Sequence, residues 1–559
     1  MTGRKSESAR DLATVVIWLT AVLLLIRLWL AGHLELMFDE AYYALWAKHL
    51  AWGYLDHPPM VALWIRLSTL LFGEHEFGVR ALGVLAAAAG SGFVYVLSSL
   101  LFASRSKAAF AALFYCSMLL ISVGAIIITP DTPLLFFWSI ALFGLVRIYR
   151  GDGAGWWWSV GLGMGLALQS KYTALLLGAG IACAMVAVSK MRIWWRHPAP
   201  YLAGGLALAI FLPVVSWNYH HDWASFGKQL GRAQAERLTL RYVGEFAASQ
   251  IGLLTPFVFT LAVAGCWLGL RRGEGKDRES RFLLIALIAP MFIYFLVHSL
   301  HDRVQGNWLA PAYPVLAILA SEAAFQIASF GERIRPLLAV CRRLAVPIGL
   351  GMTGIVYLQA LAAPIPLNPA KDPTALFAGW SELAAKVETL ARREGAGYLL
   401  TSSYALTSEL TYYSTGTIPI VQFNERLRWL SFAQPQSNIL SQPGLYVAEA
   451  GRDLASTLAG RFSRITKFAE IGRYRDGKQI QAYVLYRLQG PVAPILDAAM
   501  DGSGSNHPFK AIGGGSIQVR SASFQSQRIL ETVRSGSLVR MTGIVEADET
   551  FIETIQALH

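Results

Sequence analysis

Long apolar runs separated by short polar stretches constrain this chain more than any other feature. They lie near residues 13–32, 79–102, 106–128, 132–149, 156–169, 172–189, 201–217, 245–270, 282–300, 307–328 and 337–361. A bilayer's hydrocarbon core takes roughly 20 apolar residues of helix to cross, and somewhat fewer inside a bundle. Every backbone polar group there must be satisfied within the segment, which favours helices. The pattern therefore predicts a polytopic α-helical membrane protein with about eleven spans. With 54% hydrophobic and only 15% charged residues over 559 positions, the chain is too apolar for an ordinary soluble domain.

The formal net charge of +12 raises the question of nucleic acid, but the bases stand in short loops between apolar runs. With the N-terminus inside, the inner segments hold Arg4, Lys5 and Arg10; Arg105 and Lys107; Arg147 and Arg150; Lys190, Arg192 and Arg196; RRGEGKDRESR at 271–281; and Arg333 and Arg335. That alternation orients membrane spans, so no nucleic-acid partner is expected. The first run is too long for the core of a signal peptide and lacks a small-x-small cleavage site, so it reads as an uncleaved span. Cys116, Cys183, Cys266 and Cys341 lie in or beside apolar runs without CxxC or Cys/His spacing, which argues for packing residues.

The outer side receives residues 33–78, TPDTP at 129–133, QSK at 169–171, the loop 218–244 and HDRVQGN at 301–307. Beyond about Pro364 the periodicity changes. LFAGWSELAAKVETLARREGAG reads as an amphipathic helix, and GYLLTSS, IPIVQF, GLYVAEA and QAYVLYRL read as strands. The chain thus divides into a membrane region over 1–363, a small α/β domain over 364–489, and an extension over 490–559. The extension has weaker periodicity, partly disordered in expectation, and carries no assigned function. An odd number of spans puts the α/β domain outside the membrane, in a bacterium the periplasm.

The outer segments carry the chemistry. In FDEAYYALWAKHLAWGYLDHPP, Tyr42, Leu45, Trp46, His49 and Leu50 recur at helical spacing, so the stretch reads as an interfacial helix closed by the turn DHPP. Asp39 and Glu40 precede this helix, where the dipole and free N–H groups hold a carboxylate ionised. An ionised carboxylate at a low-dielectric boundary suits a general base. In ITPDTP, Asp131 is either a helix cap or a second acid. In LALQSKYTALL, Lys171 is either a snorkelling side chain or a cation placed to meet an anion. HDRVQGNWLAPAYP adds His301, Arg303 and Asn307. Acids that activate a hydroxyl and bases that hold a phosphate, on a face open to the bilayer, describe transfer of a sugar from a polyprenyl phosphate carrier.

At these residues the sequence resembles a known family. FDEAYYALWAKHLAWGYLDHPPM, ITPDTPLLFFW, LQSKYTALL and NWLAPAYP are similar to motifs of bacterial glycosyltransferase family 39, relatives of the lipid A aminoarabinose transferase and of the protein O-mannosyltransferases. The resemblance covers roughly residues 10 to 485 and implies the GT-C membrane fold with a periplasmic active site in the bacterial inner membrane. It implies that Asp39 is the essential acid with Glu40 beside it, that Asp131 is the second acid, and that Lys171 binds the donor phosphate. His57 in DHPP stands where the lipid A relatives carry a basic residue facing the phosphate, and Arg303 is a further phosphate candidate. Tyr42, Tyr43, Asp56, His301 and Asn307 are expected to line the substrate pocket. An acid at the place of Asp56 lies near a metal in some relatives. His220 and His221 could partner it, but no ligand spacing supports them, so no cofactor is assigned and a divalent metal stays open.

The mechanism implied is inversion by direct displacement from a polyprenyl-phosphate-linked sugar, in accord with the lack of a GxxxxGK[ST] loop. Lipid A or the lipopolysaccharide core is the expected acceptor, and protein O-glycosylation is the alternative on the same fold. A sensor whose spans only anchor the outer domain would leave the outer-turn acids without a purpose. A transporter or flippase would place charges near mid-membrane in repeated halves. Arg27 is the main such charge, without an evident partner, and no repeat is visible. The sugar is not identified: an aminosugar favours an extra carboxylate and a uronic acid an extra base, for which His301, Arg303 and Arg232 are available.

Overall fold

Helices account for most of the described residues up to 362. The computed structural model describes residues 2–231, 238–271 and 276–497, and strands at 506–510, 516–520, 539–546 and 549–557. Arg232 lies outside the described residues, as does half of the extension assigned to 490–559. In chain order the helices are α1 (Thr2–His33), α2 (Phe38–Lys48), α3 (Met60–Phe72), α4 (Glu76–Phe102), α5 (Arg105–Ser117), α6 (Leu119–Gly124), α7 (Asp131–Tyr149) and α8 (Trp157–Leu168). They continue as α9 (Leu175–Ala187), α10 (Ala199–His220), α11 (Ala224–Gly231), α12 (Arg241–Leu254), α13 (Pro256–Leu270), α14 (Lys276–His298), α15 (Tyr313–Phe325) and α16 (Arg335–Ala362).

Among the described residues, seven helices are long and apolar enough to cross a membrane, or up to nine if two sharply bent pairs each count as one span. The sequence expectation of eleven is therefore not reached. The run 106–128 is split by Met118, whose extended backbone ends α5 and starts α6. The run 156–169 yields only the 12 residues of α8, about 18 Å of helix and too short to cross alone. One bent pair, α12 and α13, turns by 107° at Thr255, whose φ is 68°. Pro256 follows, and a proline disfavours helix at the residue before it.

Close helix crossings hold the bundle. A Cβ on Gly265 of α13 would lie 2.0 Å from the carbonyl oxygen of Leu319 on α15, and one on Gly180 of α9 would lie 2.1 Å from that of Leu287 on α14. Small residues let backbones touch where lipid supplies no hydrophobic drive for association. Arg27 does have partners: its Nε donates to the Tyr357 hydroxyl at 3.2 Å and its Nη2 to Ser122 Oγ at 3.1 Å. A buried guanidinium met by hydroxyls of two other helices is a packing element.

After α16 come α17 (Trp380–Arg393), the expected amphipathic helix, and α18 (Tyr404–Tyr413). A five-stranded sheet contains β1 (Tyr398–Thr401), β2 (Ile420–Gln422), β3 (Gly444–Glu449), β4 (Phe462–Arg475) and β5 (Lys478–Pro491), in the order β2-β1-β3-β5-β4. β1 runs parallel to β2 and β3, while β5 runs antiparallel to β3 and β4. The strand β4 was not read from sequence because FSRITKFAEIGRYR does not alternate cleanly.

This region is seated on the bundle through specific bonds. Glu35, just beyond α1, accepts the Trp380 amide at 2.7 Å and the Ser381 amide at 3.1 Å, placing a carboxylate at the positive end of α17. Tyr413 donates to Glu76 at 3.0 Å and accepts the Leu36 amide at 2.7 Å. In consequence α2 is not an interfacial helix lying on the membrane, as its periodicity predicts. Residues Glu40 to Ala47 are all buried, because Tyr42 packs against Tyr404 and Trp429 of the C-terminal region and Trp46 stacks on Tyr54 at 4.0 Å. Its aromatic faces are covered by protein rather than by lipid.

Candidate active site

The two acids that open α2 are one residue apart and face different surroundings. Glu40 is fully buried, and Arg80 of α4 grips it through Nε at 2.8 Å and Nη2 at 2.6 Å. Glu40 also accepts the amides of Met37 and Ile128, at 3.2 and 3.0 Å. Arg80 in turn donates to the carbonyls of Ala31, Leu34 and Glu35. The pair thus ties α1, α2, α4 and the turn before Asp131 into one unit. Both oxygens of Glu40 are therefore occupied, by Arg80 and by two backbone amides. Asp39 points instead into a cavity of about 340 Å³ that Asp131, Asn307, Thr129 and Thr132 also line. The Tyr404 hydroxyl donates to Asp39 Oδ1 at 3.1 Å. Burial pushes the Asp39 carboxyl up to about 6, helped by the nearby Asp56 charge and opposed by the Tyr404 hydrogen bond and the Arg428 charge.

Asp131 begins α7 but does not cap it. Its Oδ1 accepts Lys171 Nζ at 2.7 Å and its Oδ2 accepts Asn307 Nδ2 at 2.7 Å. Three residues singled out in three separate outer turns therefore meet in one buried cluster. The Lys171 turn also supports the loop after α2, since the Met60 amide donates to the Gln169 carbonyl at 3.0 Å. Breaking a buried pair of this kind leaves a charge uncompensated and costs about 3–5 kcal/mol.

Asp56 is held from three directions. Lys228 of α11 approaches to 2.6 Å, Arg428 to 2.5 Å and the Tyr42 hydroxyl to 3.2 Å. Burial alone would raise this carboxyl, but the charges of Arg428 and Lys228 outweigh it and hold the group down at about 2. Tyr43 is buried beneath, its ring 6.3 Å from that of His57. Asp56, His57, Tyr42 and Tyr43 thus form one neighbourhood on the C-terminal side of α2. Lys228 and Arg428 were missed from sequence: Lys228 sits in an ordinary-looking loop, and the only sign of Arg428 is NERLRWLSF, a basic and aromatic stretch without strand alternation.

The two remaining candidates lie elsewhere. Arg303 is 55% exposed and pairs with Glu245 at 2.8 Å, and His301 packs edge-on to His298 with ring centroids 4.7 Å apart. Neither is among the residues that line the cavity. No group of three or more His, Cys, Asp or Glu side chains suited to a metal exists among the described residues. Asp56 already carries two cations, which repel a divalent ion. His221 stacks on Trp217 and shares a 2.7 Å hydrogen bond with that residue's carbonyl. As arranged, these residues do not fit a metal.

The rest of the cavity is mostly apolar, walled by Ala86, Gly90, Leu120, Ile121, Leu135 and Phe136. Two acids at the polar end of a greasy pocket, with cations on either side, can deprotonate an acceptor while charge on a departing group is held. A multi-span bundle with such a site and a small α/β region beside it has the arrangement of the GT-C membrane fold.

Comparison with known proteins supports this class. Residues 56–217 match the family model for dolichyl-phosphate-mannose-protein mannosyltransferase. The lipid A galacturonosyltransferase RgtD of Rhizobium johnstonii is 27% identical over 381 residues, 67% of this chain and 76% of that protein. The undecaprenyl phosphate-alpha-4-amino-4-deoxy-L-arabinose arabinosyl transferase of Pectobacterium carotovorum is 25% identical over 457 residues, 75% of this chain and 76% of that protein. In structure, ArnT from Cupriavidus metallidurans bound to undecaprenyl phosphate superposes with a TM-score of 0.58 at 17% identity, covering 87% of this chain and 99% of that one; at that identity the match shows the fold. These likenesses agree with the resemblance of its motifs to the family 39 glycosyltransferases.

Proposed function

We propose that this protein transfers a sugar from a polyprenyl phosphate carrier to lipid A or the lipopolysaccharide core, with inversion at the anomeric carbon, on the periplasmic face of the bacterial inner membrane. The observation that carries the reading is Asp39 and Asp131 lining one cavity whose other walls are mostly apolar residues of the bundle. Asp39 is the base that takes the acceptor proton. The Asp131–Lys171–Asn307 cluster shapes the opposite wall, and Lys171, Lys228 and His57 hold the phosphate as the glycosidic bond breaks. Arg303, paired at the surface with Glu245, takes no part. The relatives named for lipid A transfer and for an undecaprenyl phosphate donor support donor and acceptor classes.

Mass spectrometry of lipid A and lipopolysaccharide from cells with and without the gene tests the proposal. A shift of one sugar that disappears with Asp39→Asn is the expected result. Unchanged lipids with a glycosylated periplasmic protein would move the acceptor to the protein branch of the family.

A further inference from the structure

The base reading of Asp39 requires a carboxylate that is aimed and ionised at the mouth of an apolar cavity. Its hydrogen bond comes from outside the bundle: the Tyr404 hydroxyl, on the first turn of α18, reaches Asp39 Oδ1 at 3.1 Å. The Tyr404 ring is held in place, 5.3 Å from Tyr42 and 6.1 Å from Phe38. Arg428 lies over the same ring at 4.4 Å, a cation–π distance. The other side of that guanidinium reaches Asp56 at 2.5 Å and Glu425 at 2.8 Å. A continuous chain, Asp39 to Tyr404 to Arg428 to Asp56, therefore joins the acid at the start of α2 to the acid of the loop after it through the C-terminal region.

We infer that Tyr404 and Arg428 are positioning residues, so that the α/β region over 364–497 completes the active site rather than decorating it. This rests on Asp39 as the base. Without the region, Asp39 would face the cavity with no donor to orient it. The charged and titratable groups around Asp39 are Tyr404 and Arg428 from the C-terminal region, Asp56 from the following loop, and Tyr43 and Glu40 on its own helix, Glu40 being neutralised by Arg80. Asp131, neutralised by Lys171, lines the same cavity. Burial and Asp56 favour the protonated form, whereas the Tyr404 hydrogen bond and the Arg428 charge favour the ionised one. The outer region thus decides the pH at which the base becomes available.

The test uses full-length protein in membranes of a gene-deleted host complemented with each variant. These membranes supply the carrier-linked donor, purified lipid A is the added acceptor, and initial rates are read by mass spectrometry from pH 5 to 9. Tyr404→Phe keeps the ring and removes the hydroxyl. Losing a hydrogen bond to a charged group is expected to move the acid limb up by about one pH unit. Its rate relative to wild type falls about eightfold at pH 5.5 and the deficit shrinks steadily towards pH 8.5. Arg428→Gln shifts the limb in the same direction, and Arg428→Lys, which keeps the charge, restores part of it.

A loss by the same factor at every pH in Tyr404→Phe, with wild-type amounts of protein in the membrane, would overturn the inference and leave these residues purely structural. Asp39→Asn run alongside separates the two ideas. Turnover in that variant removes the base assignment itself. A dead Asp39→Asn with an unshifted Tyr404→Phe profile removes only the positioning role.

Discussion

Two acidic corners share one cavity and are built in different ways. The Asp131 corner is made by the bundle alone, from the first turn of α7, the turn after α8 and the segment before α15, all meeting within hydrogen-bond distance. The corner formed by Asp39 and Asp56 depends on the C-terminal region, which supplies Tyr404 and Arg428. The first corner is rigid and already neutralised. The second leaves Asp39 with one neutral donor and a carboxyl raised to about 6, which suits proton transfer near neutral pH. The difference teaches that a buried acid can be fully paired to shape a wall or under-paired to do chemistry, and the number of its partners tells which.

The sharpest way to break this comparison is to neutralise the under-paired acid. Asp39→Asn is expected to cut transfer by about 10²- to 10⁴-fold, the range of general acid–base catalysis, while the protein accumulates normally in the membrane. Its neighbour should behave in the opposite sense. Arg80→Met leaves Glu40 buried and unpaired, with an expected loss of about 3–5 kcal/mol of stability, read as a lower unfolding midpoint in detergent and less protein in the membrane. If Arg80→Met folded as well as wild type, Glu40 would have to be reconsidered as chemistry rather than as structure.

The fully paired corner gives an intermediate effect. Lys171→Ala strips Asp131 of its cation and leaves Asn307 as its remaining partner. The expected outcome is weaker use of the carrier, seen as a KM raised about tenfold. An unchanged carrier dependence would show that Lys171 serves Asp131 alone. The smallest effect is in pH. Because the Asp39 carboxyl is raised, it keeps its proton to higher pH, so the base is lost as pH falls. The rate is expected to fall about tenfold per unit below about pH 6 and to level off above it. A profile flat between pH 5 and 8 would argue against Asp39 as the titrating group.

How much was legible in the sequence differs between element and site. Apolar runs and basic loops made the bundle readable, and strand alternation made β1, β2, β3 and β5 readable. The run at 156–169 forms only the 12-residue α8, because apolar length alone does not separate a crossing helix from a short one packed inside a bundle. The stretch FDEAYY showed two acids at a helix start but not their division of labour, which depends on Arg80, 40 residues further on from Glu40. The cluster of Asp131, Lys171 and Asn307 was suspected residue by residue, yet nothing local could say that they touch. Tyr404 and Arg428 left almost no trace, since a tyrosine and an arginine in an outer domain look like any others.

The sequence by itself determined that the chain is a membrane protein and where acids and bases gather, because these depend on local hydropathy and charge. Only the tertiary structure decided which acid is neutralised and which is poised. Pairing is a matter of a few ångströms between residues far apart in the chain, and burial sets how strongly each partner counts. For Asp39, that decision was made more than 360 residues away, by the hydroxyl of Tyr404.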